Sequence, residues 1–169
     1  SYTYFGAIVI FNTMMLMPLI AAITDAYVKE DYIWLKNIMK KINKVSIILT
    51  LLSLVILALS PIVFKIWLSD RLYISWSLRI AMTVYFIMNI WTTPYSSFIT
   101  GVGKMQVAMI AAVFKIIFYI PIAIFFVKLM GTPGVMLSMI LVNTLPNNIL
   151  YTIQYKKIIN KTAKGIWNK

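Results

Sequence analysis

"VSIILTLLSLVILALSPIVFKIWL", residues 45–68, holds a single charge, Lys65, and that only near its end. A helix needs about 20 apolar residues to cross roughly 30 Å of hydrocarbon; this run has that length, with Pro61 inside it. On either side of it, four more such runs lie at about 2–24, 74–99, 105–129 and 134–155, with Pro18, Pro94, Pro121 and Pro146 inside them. Only Pro133, in the turn before the last run, stands apart. A proline removes a backbone donor and bends a helix, which membrane helices tolerate where a neighbour or water serves the freed carbonyl. The expected fold is an all-α membrane protein of five proline-kinked transmembrane helices. Five bent helices in series point to a bundle with a cavity or a moving part, as in a transporter.

Composition supports the same class. The 169 residues are 62% apolar with a mean hydropathy of +0.88, against about 45–50% apolar for an ordinary soluble domain. The first run is too long and too polar in front for a signal peptide, and no small-residue cleavage site follows it. With no Cys there is no disulfide framework or thiolate chemistry, and with no His the commonest general base and metal ligand is missing. No cofactor and no metal is expected. The chain enters its first run almost directly at Ser1; with an odd number of spans, that is the expectation for a piece of a longer protein, the alternative being a complete five-span protein.

The net charge of +12 invites a nucleic-acid reading, which placement opposes. Lys29, Lys36, Lys40, Lys41 and Lys44 lie between the first two runs, Lys104 follows the third, and Lys156, Lys157, Lys161, Lys164 and Lys169 follow the fifth. The other side holds Arg71 and Lys128 near its loops, with Lys65 and Arg79 deeper. The positive-inside rule puts the 25–44 loop, the 101–104 turn and the basic tail 156–169 in the cytoplasm. The excess charge then serves orientation and attraction to anionic membrane lipids, and no nucleic-acid partner is needed. Within the first loop, Val28, Tyr32, Leu35, Met39 and Ile42 recur at three and four, with Lys29, Lys36 and Lys40 opposite. This predicts an interfacial amphipathic helix at about 27–43, anchored by Tyr32 and Trp34. The turn Gly101-Val102-Gly103-Lys104 lacks the full phosphate-loop spacing and a preceding strand; its glycines are there for positive φ.

Polar groups inside a membrane are costly, so their positions carry the functional signal. Asn89, Thr92, Thr93, Ser96, Ser97 and Thr100 form one stripe, and Asn143, Asn147, Tyr151 and Gln154 another, flanked by Thr144 and Asn148. They either bond helix to helix or line a polar cavity. Lys115 lies about ten residues into the fourth run, on a face with Ala108, Ala111, Ala112 and Tyr119. The four acids, Asp25, Glu30, Asp31 and Asp70, all lie at run ends or in loops, so Lys115 has no carboxylate partner within the spans. Lys65 and Arg79 read first as interfacial anchors. Facing inward with Lys115, they would make a cationic path suited to phosphate.

Four stretches carry a family resemblance: "PLIAAITDAYVKEDYIWLKNIMKKINK" at 18–44, "SPIVFKIWLSD" at 60–70, "FITGVGKMQ" at 98–106 and "QYKKIINKTAKGIWNK" at 154–169. The chain resembles the C-terminal half of the Wzx-like polysaccharide and O-antigen flippases of the multidrug/oligosaccharidyl-lipid/polysaccharide exporter superfamily. The resemblance implies a bundle of 12 or 14 helices in two pseudo-symmetric, MATE-like lobes, of which these spans correspond to helices eight to twelve on a 12-helix plan. It also implies alternating-access transport of an undecaprenyl-pyrophosphate-linked oligosaccharide across the bacterial cytoplasmic membrane, with the missing N-terminal half as partner. The family brings no fixed lysine to position 115. From the residues, Lys115, Arg79 and Lys65 would meet phosphate, and Asn89, Asn143 and Asn147 would bond sugar. A drug/cation antiporter of the same superfamily would want an intramembrane carboxylate. A glycan polymerase or transferase would want acid/base residues on an extended loop, and a non-transporting assembly subunit is the remaining alternative.

Overall fold

The computed structural model describes residues 2–68 and 75–168, with the side chains of 2–5 and 64–68 outside the described set. The described chain is helical: α1 (Tyr2–Val28), α2 (Tyr32–Leu68), α3 (Trp76–Val102), α4 (Gln106–Met130), α5 (Thr132–Met139) and α6 (Leu145–Ile159). A π-helical turn, Ile140–Thr144, joins α5 to α6, so 132–159 is one interrupted "fifth helix"; a 3₁₀ turn, Gly165–Asn168, ends the description.

Three helical stretches are long and apolar enough to cross a membrane: Gly6–Val28, Tyr32–Val63 and Gln106–Met130. Their outer faces expose Phe11, Met14, Ile48, Leu51, Ile116 and Phe125, a surface that water would penalise and lipid accepts. The chain is therefore membrane-embedded. Of the two remaining expected spans, α3 has the length but carries the polar stripe, and the fifth helix is divided by the π turn.

The separate interfacial helix expected at 27–43 does not exist as such; α2 runs without a break from Tyr32 to Leu68. Residues 40–45 hold no Gly or Pro to stop it. The apolar spacing of Leu35, Met39 and Ile42 continues in register through Ser46, Leu49 and Ser53, and all six are buried. The face assigned to the membrane surface thus packs inside the bundle, where Leu35, Met39 and Ile42 join Leu16, Ile23, Phe98 and Ile158 in the largest core cluster. At 1.5 Å per residue, the 37 residues of α2 span about 55 Å, so one end projects beyond the hydrocarbon.

α3 is the central element, packed against α1, α2, α5 and α6. It ends in a Schellman turn: Gly103 takes φ 75, its N–H donates to the Thr100 carbonyl at 3.1 Å, and that of Lys104 to Ile99 at 3.3 Å. Gly101, expected to supply positive φ as well, is helical and serves close approach to α1 instead. Although consecutive, α3 and α4 do not pack on each other; the fifth helix lies between them, and among the described residues α4 rests only on it and on the 3₁₀ turn. Of the described residues of α4, only Val107 and Ala111 are buried.

The prolines act through the carbonyls they free, four residues upstream. Pro94 leaves the Ile90 carbonyl without its helical donor, and Asn12 Nδ2 of α1 donates to it at 3.4 Å. Pro61 frees Leu57, whose carbonyl accepts from Ser60 Oγ at 2.7 Å. Pro146, at the start of α6, follows the π turn, which takes up the ring that would otherwise press on Val142; Thr144 Oγ1 there donates to the Met139 carbonyl at 3.2 Å. Asn12 and Pro94 should therefore be coupled. Asn12→Leu is expected to cost about 1 kcal/mol in detergent unfolding. In a Pro94→Ala background, where the substituted residue returns a backbone N–H to the Ile90 carbonyl, most of that cost should vanish; purely additive effects would refute the link.

Candidate substrate groove

The site starts from α4, whose all-round apolar surface is broken midway by Lys115, its other lysine, Lys128, lying in the last turn. Residue 115 is the tenth of α4, about 15 Å along it at 1.5 Å per residue. The side chain is half-buried and stands on the wall between two grooves. One, of about 450 Å³, lies between α3, α4 and the fifth helix and is lined by Tyr85, Lys115, Tyr119, Met139, Val142 and Asn143, among others. The other, of about 440 Å³, runs between α4 and the fifth helix from Ile122 past Phe118, Lys115, Phe114 and Val107 to Ile166 and Trp167. Lysine apart, its walls are apolar.

Of the expected site residues, the structure brings together Lys115 and Asn143 at the first groove. Asn147, buried behind them, donates from Nδ2 to Asn143 Oδ1 at 3.4 Å, while its own Oδ1 has no protein partner among the described residues. The pair is aligned because 143 and 147 are four apart on a helix. Asn89 stands one turn from Tyr85, but its Nδ2 donates to the Tyr85 carbonyl at 2.8 Å, so this amide serves its own helix. Arg79 lies ten residues further toward the opposite end of α3, its guanidinium 5.0 Å from the centre of the Trp76 ring. It does not join the groove. The side chain of Lys65 lies outside the described residues.

The two polar stripes resolve differently. In α3, Thr92, Thr93 and Thr100 of the stripe, and Thr83 before it, donate back to the carbonyls of Met88, Asn89, Ser96 and Arg79, at 2.8, 2.7, 3.0 and 2.9 Å. Their hydroxyl protons are satisfied within their own helix. In the fifth helix, Gln154 is fully buried and donates to the carbonyls of Lys104 at 2.9 Å and Trp167 at 3.4 Å, which makes it a structural clamp. Two features were missed from the sequence: Asn12, visible there as an amide inside the first run, and Tyr85, indistinguishable by spacing from the other aromatics. Among the described residues, no cluster of acidic side chains could hold a metal ion.

The lysine-rich segments meet at one end of the bundle. Lys161 pairs with Glu30 at 3.8 Å and sits 4.5 Å from the Tyr32 ring centre; Lys29 pairs with Asp25 at 2.8 Å. Neither ion pair involves Lys115. Compared with known proteins, the chain matches no family model, no curated protein and no solved structure. The functional reading rests on the groove alone.

Proposed function

We propose that this bundle is one lobe of a flippase carrying a lipid-linked oligosaccharide, of the undecaprenyl-pyrophosphate type, across the bacterial cytoplasmic membrane by alternating access, for surface-polysaccharide synthesis. The observation behind it is Lys115: a cation midway along an apolar helix, outside every ion pair described and beside the amide of Asn143 in a groove. An ammonium offers a point charge to phosphate, the Asn143–Asn147 pair offers donors and acceptors to sugar hydroxyls, and the apolar groove alongside suits a hydrocarbon chain. The thinly held α4, packed on the fifth helix but not on α3, supplies the element that moves. Arg79 serves at the outer end as an anchor or first contact, and the lysine-rich end faces the cytoplasm. The partner is the other lobe.

The test uses the full-length transporter. Lys115→Ala should lower surface polysaccharide about tenfold or more at unchanged protein level, the scale of one charged hydrogen bond, while Lys115→Arg should retain part of the yield. Wild-type yield in the alanine variant would refute the assignment. The rival drug/cation antiporter is less well supported, because the four acids of the chain all lie outside the apolar runs.

A further inference from the structure

We propose that the C-terminal segment 162–168 is a strap closing the lysine-side mouth of the groove between α4 and the fifth helix. The segment crosses from the end of α6 to the start of α4. Its 3₁₀ turn packs on both helices, and Ile166 and Trp167 form the end wall of the groove that runs along α4 past Lys115 to Ile122. Three contacts hold it there. Lys104 Nζ donates to the Asn168 carbonyl at 2.8 Å and to Asn168 Oδ1 at 2.6 Å. Gln154 Nε2 reaches the Trp167 carbonyl. The Lys157 ammonium lies 4.1 Å from the Trp167 ring centre.

The strap follows one residue of positive φ, Lys161 at 57, and holds another, Gly165 at 59, at the start of its 3₁₀ turn. Apart from Ala163, which packs on the core, the contacts that hold it are polar and partly exposed, the low-stability end of a fold. Ile166 is 49% exposed. Release would do two things together: open the groove to water from that end, and leave α4 resting on the fifth helix alone among the described residues. Since α4 touches nothing else but the fifth helix among the described residues, the strap is a latch on the least restrained helix of the bundle. This holds whatever the groove carries.

The chain has no cysteine, which makes the test direct. A single Val107→Cys, buried in the groove beside the strap, is reacted with N-ethylmaleimide in membrane vesicles holding the full chain. Only a thiolate reacts, and an apolar groove keeps the thiol protonated, so the rate reads water entry. Adding Trp167→Ala is expected to raise the rate about tenfold, and Asn168→Ala, which leaves the ring in place, by less. An Ile124→Cys control, on α4 outside the groove, should keep its rate in both backgrounds. Equal Val107→Cys rates with and without the strap contacts would overturn the proposal. So would a parallel rise at Ile124→Cys in both variants, which would mean that the bundle as a whole had loosened.

Discussion

Gly134→Ala is expected to cost on the order of 3 kcal/mol, the upper end for overpacking a closed site, and to unpair α4 from α5. A Cβ built on Gly134 lands on the backbone of Phe126, against its carbonyl carbon and oxygen and the neighbouring Val127 nitrogen. None of these is the tip of a side chain that can rotate away; only a shift of one helix against the other makes room. The contact arises because the chain reverses at Gly131 (φ 66) and the first turn of α5 must sit directly on the last turn of α4. Thermal unfolding in detergent and proteolysis near residues 126–140 would read the loss. Because α4 has few other partners among the described residues, the same variant should expose all of it. An alanine variant with wild-type melting would show that this close approach is not needed.

Gly101→Leu is the second large effect, expected at about 2–3 kcal/mol, with Gly101→Ala near 1 kcal/mol. The difference from Gly134 lies in what the new atom meets. A Cβ at 101 comes within 2.8 Å of Ile23 Cγ2, a methyl that can yield, and within 3.0 Å of the Ile20 carbonyl oxygen. Alanine is therefore accommodated in part, while leucine forces α1 from α3. Separation would also break the 2.7 Å hydrogen bond from Thr24 Oγ1 to the Gly101 carbonyl. A melting series over Gly, Ala and Leu at 101 should fall in graded steps, whereas at 134 the fall should be complete at Ala. The reverse order would refute the packing argument at both sites.

In the sequence, Gly101 and Gly103 suit a positive-φ turn equally; the turn uses Gly103, and Gly101 is kept small by α1. In a linear sequence, a glycine freed for φ and a glycine squeezed by a neighbour look alike. The amphipathic stretch 27–43 is ambiguous in the same way. Its apolar face is real, but spacing does not say whether lipid or protein covers it, and here α1 and α3 do.

The site was legible to a similar depth. Lys115 stood out because a charge in a long apolar run is locally conspicuous, and Asn143 and Asn147 because four-residue spacing aligns them. That Asn89 would spend its amide on the Tyr85 carbonyl, and that Arg79 would stack on Trp76 rather than line the groove with Lys115, depended on neighbours and rotamers that spacing does not encode.

The membrane-protein class, the helical content and the positions of the lysine-rich segments could be read along the chain. Each rests on hydrophobicity and periodicity, which are properties of short windows. It took the packed bundle to establish that Asn12 serves the carbonyl Pro94 frees, that the fifth helix comes between α3 and α4, and that the tail folds back on Lys104. Those outcomes join residues 13 to 78 positions apart, and such contacts are settled by which surfaces can approach closely enough to satisfy one another's buried polar groups.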